Sequence, residues 1–432
     1  MFLLDVLARV ARDPKLRDLV VRLGRLSESR LALLVELYRS LPAGQVGAGL
    51  AAGMVKNIVD NPVAAEWLVR IAERLSDRCL RTFFENFLIN EVVQGQLRRR
   101  EFFAEEGFEA PVTLVINPTT ACNLECRGCY AYKMPRASTP YPLLRRVLGE
   151  ARDMGARYIT ISGGEPLLYR HLFRMLDEFG DLSFMAYTNG TLIDEAMADR
   201  IAAAGNLWPA ISVEGFREHT DARRGAGVHD RIMRAMRLLR ERGVMFGYSA
   251  TPTRRNSEVI SSDAFIDFYL EHGVLFGWLF QYVPLGKDPD LSLMATPEQR
   301  DRLRAQTKHW QLTRPLFIGD FWNDGACVGG CLSATRYCYI TSAGLVQPCT
   351  FVHFHTHDLN HCTLRDVFRS PFFRAIRSMQ PYDRNLLRPC KVIDHPELLR
   401  RVVRETGARP TYPGAEAIIE DPAVRAHLDR YA

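Results

Sequence analysis

The chain has 432 residues, enough for two or three domains, and a net charge of +6. Its 47% hydrophobic and 25% charged residues fit a globular protein. No run of about 18 uncharged apolar residues offers a membrane span, and Asp5 and Arg9 interrupt the opening MFLLDVLARVARD too early for a secretory signal. A cytoplasmic location is therefore expected.

Residues 1–110 are expected to be helical. LRDLVVRLGRLSESRLALLVELYRSL repeats apolar residues at three- and four-residue spacing, and PVAAEWLVRIAERLSDRCLRTFFENFLINEVVQGQL does so after a cap at Asn61 and Pro62. This region holds 16 basic and 15 acidic residues, so it is nearly neutral. Cys79 reads as a buried small hydrophobe. The apolar stripes read first as a packed helical cap; they would also suit peripheral contact with a membrane or an acyl chain. Across the chain 50 of the 56 basic residues are Arg, but none forms a cluster interleaved with aromatics, so no nucleic-acid partner is expected.

From 111 the period changes. VTLVIN (112–117), RYITIS (157–162), LSFMAYT (182–188), WPAISV (208–213), VMFGYSA (244–250) and VLFGWLFQYV (274–283) are strand candidates, with amphipathic helical patterns between them. Six strand–helix units over 111–314 predict an α/β fold, a partial TIM-like (β/α)6 barrel with its parallel sheet inside. Functional groups in such folds collect at the C-terminal ends of the strands. Beyond about 315 the chain becomes rich in Gly, Cys and His. RYCYIT and LVQPCTFV flank a Ser-Ala-Gly turn and predict a hairpin, and SPFFRAIRSMQ and HPELLRRVVRETG predict helices. A small Cys-rich domain over 315–432 is expected.

The loop after the first strand, ACNLECRGCY, carries Cys122, Cys126 and Cys129 with the spacing Cys-x3-Cys-x2-Cys. A zinc site would want a fourth Cys or His nearby, and the next His is His171. A cubane iron–sulfur cluster can be held by three thiolates while its fourth iron stays open. With Tyr130 following, the motif resembles the signature of the radical S-adenosylmethionine (radical SAM) enzymes. The resemblance implies a catalytic 4Fe–4S cluster and S-adenosylmethionine (SAM) as cofactors. It implies reductive cleavage of SAM to a 5′-deoxyadenosyl radical, which abstracts hydrogen from an unactivated carbon.

The strand ends extend the resemblance. Gly163-Gly164-Glu165-Pro166 resembles the family's Gly-Gly-Glu-Pro motif, which implies close backbone approach to SAM and a Glu165 carboxylate near its ammonium. Thr188-Asn189-Gly190 is a family-like turn. Ser212 and Glu214, in ISVEG, are implied partners of the ribose, with Glu where the family often has Asp. Ser249, Thr251 and Arg254 are candidates for the ribose and the SAM carboxylate.

Further on, Cys331, Gly344 and Cys349 are spaced like the opening of the SPASM and Twitch extensions, which bind auxiliary clusters. The later dense cysteine block of a full SPASM domain is missing, so one auxiliary 4Fe–4S cluster is expected. Cys327, Cys331, Cys349 and Cys390 are the favoured ligands, with Cys338 and Cys362 as alternatives. His353, His355 and His357 share one face of an extended chain and are a weaker metal candidate.

The expected substrate is a peptide, a lipid or a small molecule, and the expected reaction an oxidation or a bond formation. A flavodoxin- or ferredoxin-like protein is the expected reductant. No cobalamin signature precedes the barrel. The competing reading is an iron–sulfur electron carrier or scaffold without SAM chemistry.

Overall fold

The computed structural model describes residues 61–131, 137–286 and 289–432; the helical pattern at 16–41 lies outside them. From Asn61 the apolar period yields helices, as expected. Asn61 Oδ1 accepts from the backbone N–H groups of Val63 (3.1 Å) and Ala64 (3.2 Å), and starts α1 (Pro62–Arg74). α2 (Asp77–Thr82) follows a Ser76 cap. A π-helical stretch, Phe83–Gly95, leads into α3 (Gln96–Glu106), which ends at Gly107 with φ 74°. Cys79 is buried in α2.

The sheet has nine strands in the order β7-β6-β5-β4-β3-β2-β1-β8-β9. β1 (Thr113–Ile116), β2 (Tyr158–Ile161), β3 (Ser183–Thr188), β4 (Leu207–Val213), β5 (Gly247–Ala250) and β6 (Phe276–Leu279) fall within or against the six predicted runs. All six are parallel, with Thr113 opposite Tyr158 and Ile116 opposite Ile161 at the first pair. Between them run α4 (Tyr141–Met154), α5 (Leu172–Glu178), α6 (Glu195–Ala204), α7 (Arg217–Arg224), α8 (Val228–Glu241) and α9 (Asp263–Glu271). Each strand is buried on both faces, the condition that gives parallel strands their near-continuous apolar runs.

The sheet does not stop at residue 314. After α10 (Pro297–Thr313), β7 (Phe317–Asp320) adds in parallel to β6. β8 (Tyr337–Ile340) lies parallel to the free edge of β1, with Thr113 opposite Tyr337, and β9 (Val346–Gln347) completes the expected hairpin. The Cys-rich segment is thus built onto the barrel. β10 (Phe354–His355) and β11 (Arg409–Pro410) form a separate ribbon. A one-turn helix, α11 (Gly325–Val328), precedes β8; α12 (Leu364–Arg369), α13 (Pro371–Ser378), α14 (Pro396–Thr406) and α15 (Pro422–Tyr431) end the chain.

The described N-terminal helices close one mouth of the barrel. Trp67 Nε1 donates to the Leu275 carbonyl just before β6 (2.6 Å), and Thr82 Oγ1 to the Gly205 carbonyl just before β4 (2.7 Å). Asn86 Nδ2 reaches the Gly180 and Leu182 carbonyls before β3, and buried Glu91 accepts from the Arg157 N–H before β2 (2.8 Å). Phe83 and Phe87 pack on Trp208 with centroids 5.8 and 5.3 Å apart. These are the N-terminal strand ends, so the C-terminal ends stay open for chemistry. No helix among the described residues is long and apolar enough to cross a membrane.

Candidate active site

Strand periodicity decides what faces the barrel interior. Thr113 and Val115 of β1, Tyr158 and Thr160 of β2, and Met185 and Tyr187 of β3 line a cavity of about 620 Å³, while their alternates face the other way. Trp278, Phe280, Phe321, Trp322, Tyr337 and Phe351 make much of the remaining wall aromatic. Cys122, Cys126 and Cys129 stand in the wall at the open end, and Cys331, Cys349 and Cys390 stand in the same cavity's wall on the side of β8.

The three-cysteine loop is tied to its neighbours through backbone. The Gly164 N–H donates to the Thr119 carbonyl (2.9 Å) and the Glu165 N–H to the Ala121 carbonyl (2.7 Å). A Cβ on Gly164 would lie 2.2 Å from the Ala121 carbonyl oxygen, and one on Gly163, at φ 113°, 1.9 Å from Asn117 Oδ1. Only glycine permits this approach. Asn189 Nδ2 donates to Asn123 Oδ1 (2.8 Å) and lies 4.0 Å from Cys122 Sγ. The Tyr130 hydroxyl bonds Ser162 Oγ, and burial pushes its pKa up to about 12. Burial also raises the thiols of Cys122 and Cys129; Glu165 and the neighbouring cysteines add to this at Cys122. Among the described residues no three Cys, His, Asp or Glu side chains form a group able to hold a single metal ion.

Both strand-end carboxylates are held by partners within the chain. Glu165 is fully buried and does not border the cavity. Its Oε1 accepts from Thr188 Oγ1 (2.7 Å) and the Leu167 N–H (3.1 Å), and its Oε2 from the Asn189 N–H (2.8 Å). It braces the turn after β3, which places Asn189, and Pro166 starts a 3-10 turn beside it. Glu214, 1% exposed, bonds Arg223 Nη1 (2.6 Å) and Arg224 Nε and Nη2 (2.9 and 2.6 Å). Ser212, Ser249, Thr251 and Asn189 do line the cavity. Arg254 does not: its Nε donates to the Met294 carbonyl (3.2 Å) on the segment before α10.

Arg223 and Arg224, at the end of α7, are two cavity-lining residues that the sequence reading missed. Arg224 Nη1 lies 3.9 Å from Cys126 Sγ. Arg223 pairs with Arg127 of the loop through N–H to carbonyl bonds of 3.0 and 3.2 Å. The available signal was the string DARRGAG, two arginines before a glycine turn that follows a strand-end carboxylate.

Cys349 Sγ accepts from the Tyr337 hydroxyl (2.8 Å), and Lys391 Nζ lies 3.9 Å from Cys331 Sγ. Burial raises the thiols of Cys349 and Cys390, and Lys391 opposes the rise at Cys349. Cys327 stands apart, exposed on α11, with Sγ 3.7 Å from Lys308 Nζ. Gly329 and Gly330, at φ 80° and 102°, turn the chain between it and Cys331. Cys338 is buried within β8, and the Cys362 thiol donates to the Asp358 carbonyl (3.2 Å). His353 is buried between the Tyr412 hydroxyl (2.8 Å) and the Thr350 carbonyl (3.0 Å), and His355 sits on β10.

Residues 116–251 match the family model of the radical SAM superfamily. The chain is 25% identical over 319 residues to the AdoMet-dependent heme synthase of Oleidesulfovibrio alaskensis, covering 65% of this chain and 80% of that one. It is 29% identical over 303 residues to the mycofactocin maturase MftC of Mycobacterium tuberculosis, covering 64% and 75%. The structure of Streptococcus suis SuiB bound to S-adenosylmethionine shares the fold, with a TM-score of 0.55, 21% identity, and 69% of this chain and 75% of that one covered.

Proposed function

We propose that this chain is a radical SAM enzyme with a 4Fe–4S cluster and SAM as cofactors, and that the following residues do the work. Cys122, Cys126 and Cys129 hold the catalytic cluster. Gly163 and Gly164 would hold SAM, with Asn189, Ser212, Ser249 and Thr251 as polar partners and Tyr130 beside them in the same cavity wall. A cluster held by these three cysteines, together with SAM, would supply one-electron radical chemistry for hydrogen abstraction from the substrate.

The protein's own part is positioning and exclusion of water. The carboxylate of Glu214 offsets two guanidinium charges and holds Arg224 beside Cys126, where either arginine can meet the SAM carboxylate. Glu165 fixes the turn that presents Asn189. The helices from Pro62 to Glu106 seal the far mouth against solvent. Substrate occupies the aromatic cavity between the two cysteine groups.

Cys331, Cys349 and Cys390 hold an auxiliary 4Fe–4S cluster, with Cys327, Cys338 and Cys362 outside the set. The radical SAM core starts near 111, after a helical region that ends near 110. The Cys-rich part from about 315 shares the core's sheet. Named relatives include heme synthases and a mycofactocin maturase. The cavity, sealed at one end and about 620 Å³, favours a compact substrate, either a small organic molecule or one end of a peptide, over a long acyl chain. A flavodoxin- or ferredoxin-like protein supplies the electron.

The single observation that carries this reading is the convergence of the three-cysteine loop and the Gly163-Gly164 turn at one cavity. The test is anaerobic reconstitution with iron and sulfide, followed by dithionite and SAM. The expected product is 5′-deoxyadenosine, absent from Cys126→Ala. A reconstituted protein that binds iron but releases no 5′-deoxyadenosine would instead be an electron carrier or scaffold.

A further inference from the structure

Lys391 follows Cys390 and is 1% exposed. Its Nζ donates to Ser333 Oγ, lies 3.9 Å from Cys331 Sγ and sits 5.7 Å over the Tyr382 ring. Cys331, Cys349 and Cys390 all lie within electrostatic reach of the ammonium. Among the described residues no carboxylate forms an ion pair with it; the nearby Asp394 is engaged by Arg300 (2.7 Å) and by the Cys390 N–H (3.0 Å). A buried ammonium without a counter-charge is strongly disfavoured. Besides the Tyr382 hydroxyl, the three cysteine thiols are the groups that act on this ammonium and can carry negative charge.

We propose that Lys391 is the charge partner of an anionic iron–sulfur cluster held by Cys331, Cys349 and Cys390, and that it raises the cluster's reduction potential. The inference rests on the auxiliary-cluster reading above. Its physical basis is simple. Reduction adds one negative charge to the cluster, and a fixed cation a few ångströms away stabilises the reduced form more than the oxidised one. Ser333 and the Tyr382 ring keep the ammonium at that distance. Lys391 is a positioning and potential-setting residue; it is not a cluster ligand.

The test uses the full chain with Cys122, Cys126 and Cys129 replaced by Ala, so that only the second cluster reports. Iron, sulfide and the midpoint potential are measured for this parent, for Lys391→Met, which keeps the length, and for Lys391→Arg, which keeps the charge. The expected result is a lower midpoint in the Met variant and a parent-like midpoint in the Arg variant. Equal midpoints in parent and Met variant, with the cluster in place, overturn the inference alone. If the Met variant loses its iron, the Arg variant decides: retention supports the need for charge, and loss in both overturns it. Iron at the three-cysteine loop of Lys391→Met in the otherwise wild-type chain shows that the fold survives. A parent without iron removes the auxiliary cluster itself and the inference with it.

Discussion

Replacing Glu214 by Gln removes the one negative charge from a buried cluster with Arg223 and Arg224. The Glu214 side chain is 1% exposed, and its partners Arg223 and Arg224 are 19% and 13% exposed. At an effective dielectric constant near 20, two unit charges about 4 Å apart interact by about 4 kcal/mol. Breaking a buried pair by removing one partner destabilises by about 3–5 kcal/mol, because the remaining charge is left uncompensated. Here two guanidinium groups are stranded, so Glu214→Gln should lose at least about 3 kcal/mol. The assay is urea unfolding of the metal-free chain under reducing conditions, followed by circular dichroism, with variants compared at equal m-values. Glu214→Gln combined with Arg223→Met and Arg224→Met replaces charge by apolar volume and should recover part of the loss. Because Arg223 also grips the backbone of Arg127, the single variant should hold less iron at the loop after reconstitution. A Glu214→Gln protein within about 0.5 kcal/mol of wild type would refute the reasoning, since that is the range of an ordinary surface substitution.

Other substitutions probe the remaining parts of the site. Changing Cys122, Cys126 and Cys129 together to Ala should remove about four irons per chain and all 5′-deoxyadenosine formation, while the second site keeps its charge-transfer absorption; loss of all iron would join the two sites into one. Gly164→Ala places a methyl group 2.2 Å from the Ala121 carbonyl, so the loop must shift, and SAM affinity measured by calorimetry should fall at least tenfold; unchanged affinity would show that SAM does not use this turn. His353 is held neutral by burial, with its pKa lowered from 6.5 to about 4. The unfolded chain therefore binds the extra proton first, and the stabilisation, complete above pH 6.5, is lost as pH falls towards 4. Between pH 6.5 and 5 this one group should cost about 2 kcal/mol of unfolding free energy, a slope that His353→Gln should lack in urea titrations at the two pH values.

The six core strands were legible because each is a short apolar run buried on both faces, and each is bounded by turn residues. β7 and the place of β8 were not. Nothing local in YCYI says that it pairs with β1, since that contact depends on how the intervening strands curve. The cysteine spacing and the double glycine were legible because covalent neighbours fix them. The carboxylates were not, because the partners of Glu214 arrive on α7 and those of Glu165 on the next strand end. The position of Cys327 was not legible either: exposed on α11, it is linked to Cys331 through two left-handed glycines, a conformation that the string GACVGGC allows but does not require.

The pairing of β1 with β8 also sets an order for synthesis. Thr113 must wait for Tyr337, 224 residues later in the chain (337 minus 113), before its second edge is covered. At about 5–20 residues per second, a ribosome needs roughly 10–45 s to make that stretch. During that interval β1 exposes a row of unpaired N–H and carbonyl groups, the template on which chains join edge to edge. The three-cysteine loop hangs from this half-finished strand, and Cys331, Cys349 and Cys390 do not yet all exist. Co-expressed chaperones that cover this edge should therefore raise the soluble yield of the protein.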